Sequence, residues 1–413
     1  MNDDEYGTVL LRPLRVEPVG PPQIDVARAM REGRRMRRRR WAFGGGFLAA
    51  IVAALVTGSL LIAPAAPHRP VLPPDPPLPK SCTLAALPMG NYHSAEVGGG
   101  DSTGRWHFGL SNPVVNTGPQ HTLVWHDGAL VGDAALPGAD VDLTGINSSG
   151  VIVGEANDHK TGIRPYAYRN GKFSPLKGGV GQASAVNDAG TIVGRLGDDA
   201  HPIPVRWRSP DAEPERLRMP AGGTISYHHL AIAPDGTVAG AVFLRAAGPA
   251  TESTVTYLWL PDGTARQIPA PPAPRDTRAY LEPLTFRNGW LYAEQVITEK
   301  NAGLNVYAIA DEQLVRYDPA GGTWQRIDGD KINGPAQFPP SGRSYGTGGG
   351  IRPAVFVGPA VLELPWFMPL ADPEVDYARV QSISNDAHTV AGDLNRGGND
   401  PTQPFRPIIW HCE

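Results

Sequence analysis

A chain of 413 residues with 49 glycines, 43 prolines and 19% charged side chains suits a turn-rich β protein and argues against a helical one. Residues 1–40 hold ten Arg against six Asp and Glu, a net of +4, while 27 basic and 35 acidic residues leave 41–413 at −8. A basic tail ahead of an acidic body points to two compartments.

The tail, residues 1–40, carries no domain-sized core and ends in a cluster that includes Arg37, Arg38, Arg39 and Arg40. Trp41 to Ala63 follows as 23 uncharged residues rich in Ala, Leu, Val and Ile. A helix of that length spans roughly 35 Å, enough to cross a bilayer. The arginines predict a single-pass anchor with its N-terminus inside, and Trp41 fits the interface. Ala63-Pro64-Ala65-Ala66 offers the small residues of a cleaved signal peptide as the rival. A 40-residue leader and so long an apolar run fit that rival less well. Beside such a run the arginines read as topology and anionic-lipid contacts rather than a nucleic-acid patch. Residues 64–80 contain eight prolines, the composition of an extended spacer reaching about 50 Å.

Residues 81–413 repeat one phrase. It stands as Gly145-Ile146-Asn147-Ser148-Ser149-Gly150-Val151-Ile152-Val153-Gly154 and as Ala185-Val186-Asn187-Asp188-Ala189-Gly190-Thr191-Ile192-Val193-Gly194. It returns around Pro234-Asp235-Gly236 and Asn385-Asp386-Ala387. Each copy is a short apolar strand, an Asn, Asp and Gly turn, and a second strand ending in Gly, which is hairpin chemistry. An aromatic strand and a last apolar strand complete each unit, as in Pro165-Tyr166-Ala167-Tyr168 and Pro204-Val205-Arg206-Trp207. Unit starts near 95, 141, 183, 228, 284, 334 and 380 predict an all-β, β-propeller fold of seven four-stranded blades. Six is the alternative, because the sixth unit is the faintest.

The last unit stops at Trp410-His411-Cys412-Glu413 without a fourth strand, and Cys82-Thr83-Leu84-Ala85-Ala86-Leu87-Pro88 supplies one from the other end. That closure brings Cys82 beside Cys412, an even pair that reads as a disulfide outside the cytoplasm. The phrases at 146–154 and 186–194 resemble HAF-type extracellular repeats of bacterial proteins, over roughly 95–412. The resemblance implies an external, repeat-built β domain and no defined activity.

Catalytic signatures are lacking: the sequence has no Gly-X-Ser-X-Gly, no His-Glu-X-X-His and no phosphate-binding loop. His228-His229 would face opposite sides of a strand, which disfavours a shared metal. The candidate ligand residues are polar groups between second and third strands: Glu155, Asn157, Asp158, Asp198, Asp199, Asp393, Asn395 and Asp400. Their oxygens suit a glycan, a peptide or Ca²⁺, without the EF-hand spacing. The expectation is a monomeric, membrane-anchored binding or sensing module on the outer side, with a cell-wall glycan or protein as ligand and no nucleic acid. A hydrolase or lyase with His and acids converging on the central funnel is the alternative.

Overall fold

The computed structural model describes residues 74–413 apart from 112–119, 159–161, 199–200, 226–229, 246–251, 276, 301–306, 328–352, 358–359, 366–376 and 396–403. The basic tail, the apolar run 41–63 with Arg37 to Arg40 and Trp41, and spacer residues 64–73 lie outside the described residues. Among the described residues no helix is long and apolar enough to cross a membrane.

Strand β1 (Cys82–Ala86) comes first. Sheet one is β2 (Ala95–Gly100), β3 (Trp106–Ser111), β4 (His121–His126) and β5 (Ala129–Ala135). Sheet two is β6 (Ala139–Ile146), β7 (Ile152–Asp158), β8 (Gly162–Arg169) and β9 (Lys172–Pro175). Sheet three is β10 (Gly181–Val186), β11 (Ile192–Leu196), β12 (Ile203–Trp207) and β13 (Glu215–Arg216). Sheet four holds β14 (Gly223–Ile225), β15 (Ala231–Ile232), β16 (Val238–Arg245), β17 (Glu252–Trp259) and β18 (Ala265–Ile268). Sheet five is β19 (Thr277–Arg287), β20 (Trp290–Lys300), β21 (Tyr307–Asp318) and β22 (Thr323–Arg326). The pair β23 (Ala354–Val357) and β24 (Ala360–Glu363) precedes a last group, β25 (Tyr377–Ile383), β26 (Thr389–Asn395) and β27 (Phe405–Cys412).

Neighbouring strands are antiparallel, and most sheets run in plain sequence order. The exception is the order β1-β27-β26-β25: the first strand of the domain closes its last sheet. Cys82 pairs with Cys412 and Ala86 with Ile408, and a disulfide joins the two cysteines. Repeated meander sheets with joined ends make a β-propeller.

A bulge explains Gly154, Gly194 and Gly392 at the ends of three phrases, and Gly109 of sheet one, whereas Gly240 of sheet four faces the side chains of Leu230 and Trp259. The register slips in β2, β6, β10 and β25 between Val97/Gly99, Leu143/Gly145, Ala183/Ala185 and Val380/Ser382, and β6 slips a second time between Ala139/Asp142. The slip common to all four swings a carbonyl over the second strand. A Cβ on Gly109, Gly154, Gly194 or Gly392 would overlap the carbonyl oxygen of Glu96, Asp142, Gln182 or Arg379 respectively. Only glycine fits there.

The core lies between sheets. Val153 and Ala167 of sheet two pack with Val205 and Trp207 of sheet three, and Val193 of sheet three packs with Val238 and Trp259 of sheet four. Ala391 and Ile409 of the last sheet pack with Leu123 and Trp125 of sheet one. Val355 and Leu364, in and just after the β23–β24 pair, pack against Val390 and Trp410.

Five seams carry a similar clasp. The indole Nε1 of Trp125, Trp207, Trp259, Trp324 and Trp410 donates to the carbonyl of Pro88, Lys177, Arg218, Pro269 and Pro365, at 2.7 to 3.0 Å. Each acceptor lies just past the outer strand of the preceding sheet. The residue before it is a buried Leu or Ile: Leu87, Leu176, Leu217, Ile268 or Leu364.

Residues 74–80, the end of the expected spacer, lie against the sheets instead. Asp75 pairs with Arg316 of β21 at 2.6 Å, and that guanidinium covers the Trp290 ring at 4.3 Å. Leu78 joins the core around Trp410.

Candidate functional site

The Asn of the repeated turn does two jobs. Its Oδ1 closes its own turn, accepting from Val151 N in the case of Asn147 (3.0 Å) and from Thr191 N in the case of Asn187 (2.9 Å). Its Nδ2 reaches sideways, from Asn147 to the carbonyl of Asn187 (3.0 Å) and from Asn187 to the carbonyl of Ala233 (3.1 Å). Gly150 and Gly190 complete these turns at φ +74° and +81°, the left-handed region that glycine enters without penalty.

Arg287, at the end of β19, makes the corresponding link from sheet five to the turn after β25. It donates to the carbonyls of Ile383 and Ser384 and, through Nε, to Asn385 Oδ1. Burial lowers its pKa to about 10, so it remains charged at neutral pH. Asn385 N in turn donates to Ser102 O of sheet one at 2.7 Å. Asp188 accepts from Ser148 N (2.9 Å) and Ser102 Oγ (3.2 Å), which ties three turns together.

These turns border a cavity of about 410 Å³. Its wall consists of β2, β6, β10, β15 and β19 together with Asn385. Because β2, β6, β10 and β19 are the first strands of their sheets, each bonds to a neighbour on one side only. Their other edges are sources of backbone donors and acceptors. Ser102, Thr144, Ser184 and Thr285 add hydroxyls, and Asp142, Asp188, Glu282 and Arg287 are the charged residues of the lining.

The residues expected to bind a ligand are placed differently. Glu155, Asn157 and Asp158 belong to β7, and Asp393 and Asn395 to β26, rather than to loops beyond the strands. Glu155 accepts from Gln182 (2.8 Å), whose Oε1 accepts from Arg195 (2.6 Å), linking sheets two and three. Asn157 donates to Asp140 at 3.3 Å. Asp198 is exposed and accepts from His201 N at 2.8 Å. Asp199 and Asp400 lie outside the described residues.

Asp393 is fully buried. Arg379 Nε donates to its Oδ2 (2.9 Å), and Arg379 Nη2 donates to Glu96 of sheet one (2.8 Å). Burial pushes the Asp393 carboxyl up to about 6 against the pull of Arg379. Burial opposes the Arg379 charge, but Asp393 and Glu96 outweigh it and hold the guanidinium above its ordinary range. Nearby, His107 is also buried, between Gly104 O (3.1 Å) and Ser382 Oγ (3.2 Å). A carbonyl can only accept, so Nε2 carries the proton and Nδ1 accepts from the serine. Burial lowers His107 to about 4. These perturbed groups hold the seam between the last sheet and sheet one.

On the outer strands of sheet one, Asp133 gathers Tyr92 Oη (2.9 Å) and His121 Nδ1 (2.6 Å). Burial, then the bond to Asp133, pushes Tyr92 up to about 12. Among the described residues no group of three or more His, Cys, Asp or Glu is placed to hold a metal ion.

No protein-family model and no curated protein matches the chain. Solved structures similar to it share 10–12% identity with it. The propeller domain of the Trilobed protease from Pyrococcus furiosus is 12% identical over 77% of this chain and 95% of its own, at a TM-score of 0.44. The acylaminoacyl peptidase of Pyrococcus horikoshii is 10% identical at a TM-score of 0.49, and the match covers 77% of this chain but only 51% of the peptidase. A putative TolB from Agrobacterium tumefaciens is 12% identical over 47% of this chain and 67% of its own, at a TM-score of 0.30.

Proposed function

We propose that this protein is a membrane-anchored binding module of the cell envelope, in which a seven-bladed propeller receives a polar ligand in its central cavity. The observation that carries the reading is the cavity itself, walled by first strands and turns contributed by six sheets. Its volume of about 410 Å³ suits a small ligand or one side chain of a larger one. Free strand edges and hydroxyls favour hydrogen-bonding ligands over apolar ones. The strongly shifted His107 and Asp393 are engaged in a seam, which favours binding over acid–base chemistry.

The seven-blade count is supported by β23 and β24. Leu364 N donates to Pro353 O, as Leu176 N does to Pro165 O and Leu217 N to Pro204 O. That shared bond favours reading β23 and β24 as third and fourth strands of a unit. The apolar run 41–63 behind its arginines supports the anchor, with the propeller outside. The Cys82–Cys412 disulfide fits an oxidising compartment, and the HAF-type phrases fit an external repeat protein.

The test is the melting temperature of the full chain against cell-wall glycan fragments and short wall peptides. A ligand of the folded state raises it. A saturable rise with one class is expected; no rise with any member would overturn the reading.

A further inference from the structure

We infer that the central cavity recognises a cationic group, an ammonium or guanidinium carried by a small polar ligand; this rests on the cavity being the binding site. Three of the four charged residues in its lining are carboxylates: Asp142, Asp188 and Glu282. The fourth, Arg287, directs its donors at Ile383 O, Ser384 O and Asn385 Oδ1, so its charge is committed to holding the ring together. Asp142 is exposed within a wall where Asp188 is already bound by Ser148 and Ser102 and Glu282 also has a partner.

A concave site with low-dielectric walls focuses the field of such charges on its interior. The backbone edges, which offer acceptors as well as donors, are compatible with the same group. Carbonyl oxygens along a free strand edge accept from an ammonium, and hydroxyls at Ser184 and Thr285 turn to accept as well. The cavity therefore suits the amine of an amino sugar or the side chain of a basic peptide residue.

Titration of the full chain with paired probes separates these. Glucosamine is compared with N-acetylglucosamine, lysine amide with its Nε-acetyl form, and glucuronate serves as the anion. The cationic member of at least one pair binds, and its neutral partner binds at least tenfold more weakly. The pair that responds identifies an amino-sugar or a peptide source. Asp142→Asn weakens the cation at least tenfold and leaves the melting temperature of the free protein unchanged, and adding Glu282→Gln weakens it further. Equal binding of a neutral or anionic probe, indifferent to those substitutions, overturns the cationic preference and leaves the cavity as the site. Binding by none of the five overturns both.

Discussion

Gly194 and Gly190 belong to the same repeated phrase and resist substitution for different reasons. At Gly194 the bulge of β10 places the Gln182 carbonyl where a Cβ would stand. At Gly190 the space is open, and only the φ of +81° disfavours a side chain. Gly194→Ala should therefore cost at least about 2 kcal/mol, as backbone is displaced in a packed seam. Gly190→Ala should cost roughly 1 kcal/mol. Urea unfolding midpoints of the two variants check the order. The sequence made both glycines visible as a recurrent pattern, and turn chemistry explained Gly190. Gly194 is governed by a bulge, which leaves no signature besides the glycine opposite it.

His107 gives the molecule an acid sensitivity whose sign follows from burial. Its folded pKa of about 4 lies below an unfolded value of roughly 6.5. The unfolded chain takes up the proton first, so stability present above pH 6.5 is lost as pH falls towards 4, by about 3 kcal/mol. Asp393 works in the opposite sense between about pH 6 and 4, because its folded pKa is raised. A His107→Gln variant, which cannot titrate there, should lose less stability over that window than the wild type in denaturant melts at stepped pH. Equal losses would show that His107 is not held neutral in the fold.

At the scale of elements, the sheets are joined less by strand pairing than by side chains that reach over the seam. Trp207 fills the space between sheets two and three, and its Nε1 satisfies the carbonyl of Lys177. Trp207→Phe keeps most of the apolar contact and strands that acceptor, so about 1–3 kcal/mol should be lost with little change in the denaturant slope. The aromatic strand was evident from its Tyr and Trp residues. Its hydrogen-bond partner was not, because the acceptor is a backbone carbonyl some 30 residues earlier, which any side chain can supply. For the same reason the acids at Glu155 and Asp393 read as loop ligands. Their alternation with apolar neighbours was the available sign that they belong to strands, and their partners Gln182 and Arg379 lie in other strands.

Over the whole molecule, closure is what the chain ends provide. Strand β1 fills the outer edge of the last sheet, and the disulfide ties residues 330 positions apart. Reduction should lower the melting temperature by an amount equivalent to at most about 5 kcal/mol without changing binding in the cavity, which lies at the first strands. The ring and its closing strand were readable from repeat spacing and from an unfinished last unit. The cavity was not, because its wall is assembled from single residues of many units, and its chemistry comes partly from backbone edges. If this cavity is the binding site, Ser184→Trp blocks it by placing an indole inside. Titration of that variant with glucosamine and lysine amide should show binding of the wild-type ligand abolished while the melting temperature of the free protein holds. Undiminished binding would place the site elsewhere on the propeller and contradict the account.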